Sequence, residues 1–186
     1  VKKFPNTYTF THEYCHDNSD IFTSLTENED YQNLIKNTGI IFHYGDITPE
    51  IEENIKSKIA LRSPTQPRLI ICDGHPSDVR KLYSLGIDLF VLHMPLIAAQ
   101  KGIALTFDFH EKNYKEIGIN LKYKQYEHDH TPISTECDCT CCKQFMKSYI
   151  YHLFDVHEML AETLLVQHNI RHYQRYLESL CEELSK

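Results

Sequence analysis

"PRLIICDGHPSDVRKLYSLGIDLFVLHM", residues 67–94, decides the fold. It opens on an apolar run through Leu69, Ile70 and Ile71 that Gly74 closes. "HPSDVRKLYSLG" follows as a short helix, ended by Gly86. A second apolar run, "IDLFVLHM", comes next. Apolar runs without polar alternation, joined by a helix, imply strands buried on both faces. That is the signature of a parallel sheet.

The same grammar extends upstream. "TGIIFHYGD", residues 38–46, is an apolar run bounded by Gly39 and Gly45 and reads as another buried strand. "TPEIEENIKSKIAL" bridges the two, with Thr48 as N-cap and Pro49 at the first helical position. Its residues Ile51, Ile55 and Ile59 recur four apart. Residues 38–93 therefore read β-α-β-α-β. Further upstream, "TYTFTH" (7–12) alternates as a strand does, 13–28 is polar and loop-like, and "EDYQNLIKN" (29–37) has helical spacing. Downstream of Pro95 the pattern changes. "GIALTFDF" and "GINLKYKQY" suit strands of a small antiparallel piece, followed by a cysteine cluster and about forty residues of helical character. The chain divides into an α/β part over 1–100 and a second part over 101–186.

Composition narrows the class. The 186 residues suffice for one ordinary domain, and 41% apolar with 24% charged residues is a globular profile. A net charge of −7 argues against gripping nucleic acid through a strong overall field. The longest apolar run, Leu89 to Ala99, is too short for a bilayer and contains His93 and Pro95. The start, "VKKFPNTYTF", lacks a signal-peptide core and an initiator Met, so a piece of a longer protein is expected. Seven cysteines, four of them clustered, suit a reducing, cytoplasmic setting rather than a disulfide framework.

The cluster is "STECDCTCCKQF", residues 134–145. Cys137, Cys139 and Cys142 can wrap a tight loop around one tetrahedral zinc ion. Two disulfides within six positions would violate the required Cα separation, and a catalytic thiol needs one activated Cys with a base. C-x-C-x-x-C supplies three ligands. Chemistry alone leaves the fourth open among Cys141, His128, His130, His152, His157, His168 and His172.

"CDCTCCKQFMKSYIYHLFDVHEMLAETLLVQHN" resembles the C-terminal zinc-binding region of the tRNA-guanine transglycosylase family. The family pattern is C-x-C-x-x-C, an aromatic helix matched by "SYIYHL" (148–153), then "EML" (158–160) and "HN" at His168-Asn169. The resemblance selects His168 as the fourth ligand of one structural zinc ion. It extends to 67–90, which looks like the last two strands of the family's barrel, to "GIALTF" (102–107) and to "TGIIFHYGD". It implies the C-terminal portion of a TIM (β/α)8 barrel with a zinc-binding helical subdomain. A full barrel needs about 250 residues.

The chain departs from the catalytic members of the family at three places. Their last strand ends in the Asp that attacks the tRNA ribose, where "GIDLF" is here followed by Val91. Valine has no lone pair and cannot act as a nucleophile. Asp88 lies three residues away, on the opposite face of a strand, and catalytic members carry it in addition. "PLIAAQKG" has Ile97 and Gln100 where tRNA-contacting arginines would stand, and His43-Tyr44 replace a Gly-Gly turn. These losses resemble the family's eukaryotic accessory, non-catalytic subunit. That implies a heterodimer with a catalytic queuine tRNA-ribosyltransferase subunit, which exchanges guanine for queuine at the wobble position. It further implies contact with tRNA through the complex and a cytoplasmic site, extending to the periphery of the mitochondrial outer membrane.

Phe145, Tyr149 and His152 recur at i, i+4 and i+7 on one helix face. Such a stripe packs on the protein's own core or meets a partner. The resemblance favours the partner, with Phe145, Tyr149, His152 and Leu153 facing it and Glu158 at the rim. Competing readings are a glycosyltransferase using another carboxylate, and a zinc-stabilised scaffold module with a different partner. An exposed parallel sheet edge also invites a homodimer.

Overall fold

A computed structural model describes residues 10–14, 39–110, 114 and 116–184. Residues 7–9, the loop over 15–28 and the helix expected over 29–37 lie outside the described residues. The chain forms two compact units, Val1–Leu92 and His93–Lys186.

In the first unit the strands are β1 (Phe10–Tyr14), β2 (Gly39–His43), β3 (Arg68–Cys72) and β4 (Leu89–Leu92). All neighbours are parallel and the spatial order is the chain order. Helix α1 (Pro49–Ala60) joins β2 to β3, and α2 (Pro76–Ser84) joins β3 to β4. Thr48 caps α1 as its sequence promises, its hydroxyl accepting the Ile51 amide at 3.3 Å. His75 caps α2 with its ring, accepting from the Ser77 amide at 3.4 Å. Gly86 closes α2 with φ +94°, and a Cβ there would meet the Arg68 guanidinium at 2.8 Å.

Both helices bury against one sheet face. Ile55 of α1 and Leu82 of α2 share a core with Ile40, Phe42, Ile70 and Cys72. Period-2 alternation sends the intervening residues to the other face. Register aligns them in two rows, Ile41–Leu69–Leu89 and His43–Ile71–Val91. This second face is far less covered: Leu89 is 41% and Val91 44% exposed.

The second unit contains α3 (Met94–Gln100), β5 (Ile103–Leu105), β6 (Gly118–Asn120), a 3-10 turn (Lys124–Tyr126), α4 (Thr140–Gln144), α5 (Lys147–Asp155) and α6 (Leu160–Leu184). Strands β5 and β6 pair antiparallel, as the sequence suggests, but each is only three residues long. The segment after Asn120 turns instead of extending, because the Asn120 side chain accepts the Lys122 amide at 3.0 Å. Helix α3 was not anticipated. Pro95 reads as a breaker, yet it sits in the helix's first turn, where a missing N–H costs nothing.

The unit's core gathers Leu121, Ile133, Ile150, Leu153, Leu164 and Leu165 around the cysteines. The loop before the cluster is strapped to the start of α5: Asp129 accepts from Lys147 Nζ at 3.0 Å, and Thr131 O accepts the Lys147 amide at 2.9 Å. The turn from α5 to α6 is a Schellman motif, with Glu158 N–H on Leu153 O at 2.8 Å and His157 N–H on Phe154 O at 3.2 Å. His157 takes the left-handed position, φ 58°, usually given to glycine. No helix among the described residues is long and apolar enough to cross a membrane.

Candidate metal centre

Helix α4 presents Cys139 and Cys142 from one turn. Cys139 is its N-cap, and its Sγ accepts the Cys142 amide at 3.3 Å. Cys137 comes from the preceding loop, and Asp138 ties that loop to α6 through a two-pronged ion pair with Arg171 at 2.6 and 2.9 Å. Arg175 adds a bond to the Glu136 carbonyl at 3.2 Å. From α6, His168 reaches in with Nδ1 3.2 Å from Cys142 Sγ and 3.7 Å from Cys139 Sγ.

The ligand atoms of Cys137, Cys139, Cys142 and His168 all lie within 4.8 Å of one another, and all four residues are buried. Zinc bonds of about 2.3 Å to sulfur and 2.0–2.1 Å to nitrogen place tetrahedral ligands roughly 3.5–3.8 Å apart. The observed separations fit one ion. The site's chemistry agrees. Burial pushes the Cys139 and Cys142 thiols up, so the fold by itself does not hold them as thiolates. A bound cation does. A reactive cysteine would need the opposite shift. Burial also lowers the His168 pKa, which keeps the ring in the neutral, ligating form.

The second ring nitrogen completes the geometry. Nε2 of His168 lies 2.9 Å from Leu105 O, and a carbonyl can only accept, so Nε2 carries the proton and Nδ1 the lone pair. Four protein ligands would close the coordination sphere of such an ion and leave no position for water chemistry. The cluster fits a single structural zinc ion.

The other candidates separate cleanly. Cys141 is fully buried in the apolar core and outside the ligand group, its thiol pushed up to about 12 by burial and then by Cys139 and Cys137. His128, His130, His152 and His157 are exposed. His172 is buried but bonds Phe107 O at 3.2 Å. On the aromatic stripe, the Phe145 and Tyr149 rings stack at 5.3 Å, and Tyr149, His152 and Glu158 are exposed. Leu153 turns the other way, into the core. Val91 lies on the open face of β4. Asp88 lies just before that strand, its carboxylate accepting the Arg68 amide at 3.1 Å.

Sequence reasoning named Asn169 only as the second residue of the "HN" pair and missed its role. Its side chain accepts from Leu105 N–H at 2.8 Å and donates to Ile103 O and Pro95 O at 3.0 and 3.1 Å. One signal was present: His168, Asn169 and His172 interrupt the apolar side of α6 between Leu165 and Tyr173. Polar residues on a buried helix face need designated partners.

Residues 39–186 match the family described as queuine tRNA-ribosyltransferase. The queuine tRNA-ribosyltransferase of Psychrobacter sp. is 34% identical over 122 residues, covering 65% of this chain and 31% of the relative. The queuine tRNA-ribosyltransferase accessory subunit 2 is 29% identical in Homo sapiens and 25% in Danio rerio, each alignment covering 77% of this chain and 43% of the relative. The chain thus spans between about a third and under half of these relatives. On the match of its residues 39–186, the chain belongs to the queuine tRNA-ribosyltransferase family.

Proposed function

We propose that this chain is part of a non-catalytic, accessory subunit of a heterodimeric queuine tRNA-ribosyltransferase, which supports exchange of guanine for queuine in tRNA. Val91 carries the reading. Under the family resemblance the nucleophilic carboxylate belongs at this position, and the residue is an exposed valine in a row with His43 and Ile71. Asp88 is no replacement, because its carboxylate is bonded to backbone at the start of the strand. Likeness to the accessory subunits of Homo sapiens and Danio rerio supports the same reading.

The sheet would belong to a (β/α)8 barrel. Strands in sequential order with both connecting helices on one face are the barrel arrangement, whereas a doubly wound sheet covers both faces. The barrel part would run over residues 1–100 and the zinc-bearing part over 101–186, so that β4 keeps the helix that follows it. The catalytic subunit would meet Phe145, Tyr149 and His152 with Glu158 at the rim, while Leu153 supports this surface from beneath. tRNA would be engaged through the complex, in the cytoplasm.

A labelled-guanine exchange assay on the full-length protein tests the central point. We expect no turnover alone and turnover when the catalytic subunit is added; turnover by the protein alone would sink the reading. For the surface, Tyr149→Ala with His152→Ala should weaken association of the mixed subunits in sedimentation. Unchanged association would reject it.

A further inference from the structure

The outer edge of β5 is closed in an unusual way. Its ladder to β6 uses Gly102 and Thr106, so Ile103 and Leu105 turn their peptide groups away from β6. No strand meets them there among the described residues. Side chains of α6 do. Asn169 receives the Leu105 N–H and donates to Ile103 O; His168 donates to Leu105 O, and His172 donates to Phe107 O. Leu105 is therefore gripped at both of its backbone groups, its N–H by Asn169 and its C=O by the metal ligand His168.

We propose that Asn169 is a positioning residue for the metal centre. By pinning the Leu105 N–H and the Ile103 carbonyl it holds the strand backbone at Leu105, whose carbonyl fixes His168 in the Nε2–H tautomer, with Nδ1 presented to Cys139 and Cys142. A neutral imidazole exchanges readily between two tautomers and two ring orientations, and only one combination places a lone pair among the thiolates. The Thr106 amide ties the carbonyl's own peptide to Ile117 O at 3.1 Å, and Asn169 ties the peptide on the other side of Leu105; losing the Asn169 contact lets Leu105 shift and releases that choice. Asn169 also donates to Pro95 O, which anchors the same side chain at a third point and leaves its amide a single orientation. The proposal rests on the metal centre alone and stands whether or not the chain is a non-catalytic subunit.

The whole chain is stripped of metal and titrated with Zn2+ against a chromophoric chelator, then with Co2+ to read its ligand-field absorption. Loss of a partner that orients a metal-bound imidazole costs about 10- to 100-fold in affinity. Asn169→Ala should show that loss, together with a shifted Co2+ spectrum. Tyr176→Phe is the control, since it removes another buried hydrogen bond of this unit, Tyr114 to Tyr176 at 3.3 Å. It should lower the melting temperature and leave Zn2+ affinity and the Co2+ spectrum in place. If Asn169→Ala cannot be purified folded, Asn169→Ser, which keeps a polar group in the site, is titrated in the same comparison. Wild-type affinity and spectrum in the Asn169 variant would overturn the proposal. So would an equal loss in Tyr176→Phe, which would reduce Asn169 to general support of the fold.

Discussion

The two units of this chain close themselves by opposite means. In residues 39–92 every strand finds another strand, and stability comes from apolar area packed on one sheet face. In residues 93–184 the sheet is two short strands, and its open edge is met by His168, Asn169 and His172 from one helix. One unit is a sum of many interchangeable contacts. The other converges on a point, where four ligands and their supporting bonds stand or fall together. The difference teaches where substitutions will be tolerated and where they will not.

The largest effect should come from the point. Cys139→Ser or His168→Ala removes a ligand, and structural zinc supplies on the order of 10 kcal/mol in isolated knuckles. Hydrogen exchange should then rise throughout 93–184 while β2, β3 and β4 keep their protection. Equal loss in both units would break the contrast. Phe42→Ala is the reverse experiment. Emptying this fully buried site should cost about 3–5 kcal/mol, deprotect the parallel sheet and leave the zinc content unchanged by metal analysis. His157→Gly should stabilise by about 1 kcal/mol, since glycine relieves the left-handed strain of the Schellman turn; a lower melting temperature would mean that the imidazole is held by more than its backbone.

The smallest effect concerns Asp129. The Thr131 hydroxyl first, and then Lys147, hold its carboxyl down at about 2, below its ordinary 3.8. A depressed carboxyl stabilises the fold above its unfolded value and loses that contribution as pH falls from about 3.8 toward 2. Asp129→Asn should therefore lower the melting temperature slightly at neutral pH and flatten its decline across that acid window. An unchanged acid limb would remove Asp129 from the account.

Much of this was legible in the sequence, for a physical reason in each case. Buried parallel strands must be apolar on both faces, so "PRLIICDG" and its neighbours stand out without any alignment. Thr48 before Pro49 marks a helix start because both act locally. Three of the four ligands are readable because they lie on one short loop, whose i, i+3 spacing α4 preserves. His168 was not separable from the other histidines by chemistry, since its selection depends on a strand more than sixty positions earlier, at a sequence separation of 63. Asn169 was visible as the partner of His168 in the "HN" pair, but its role was not, for the same reason. Leu153 joined the partner surface through the family resemblance and not by the spacing of Phe145, Tyr149 and His152; helix α5 buries Leu153 beside Ile150 in the core.

That separation has a kinetic meaning. Cys137, Cys139 and Cys142 span six positions and close their loop almost at once, whereas His168 follows Cys142 by 26 positions and takes its tautomer from Leu105, 63 positions away. Metal capture should therefore come in two steps: a fast three-thiolate complex, then a slower arrival of the imidazole as α6 docks on β5. Stopped-flow mixing with Co2+ should show sulfur-to-metal charge transfer before the tetrahedral ligand-field bands appear. Simultaneous growth of both would mean that helix and strand are already docked before the ion arrives.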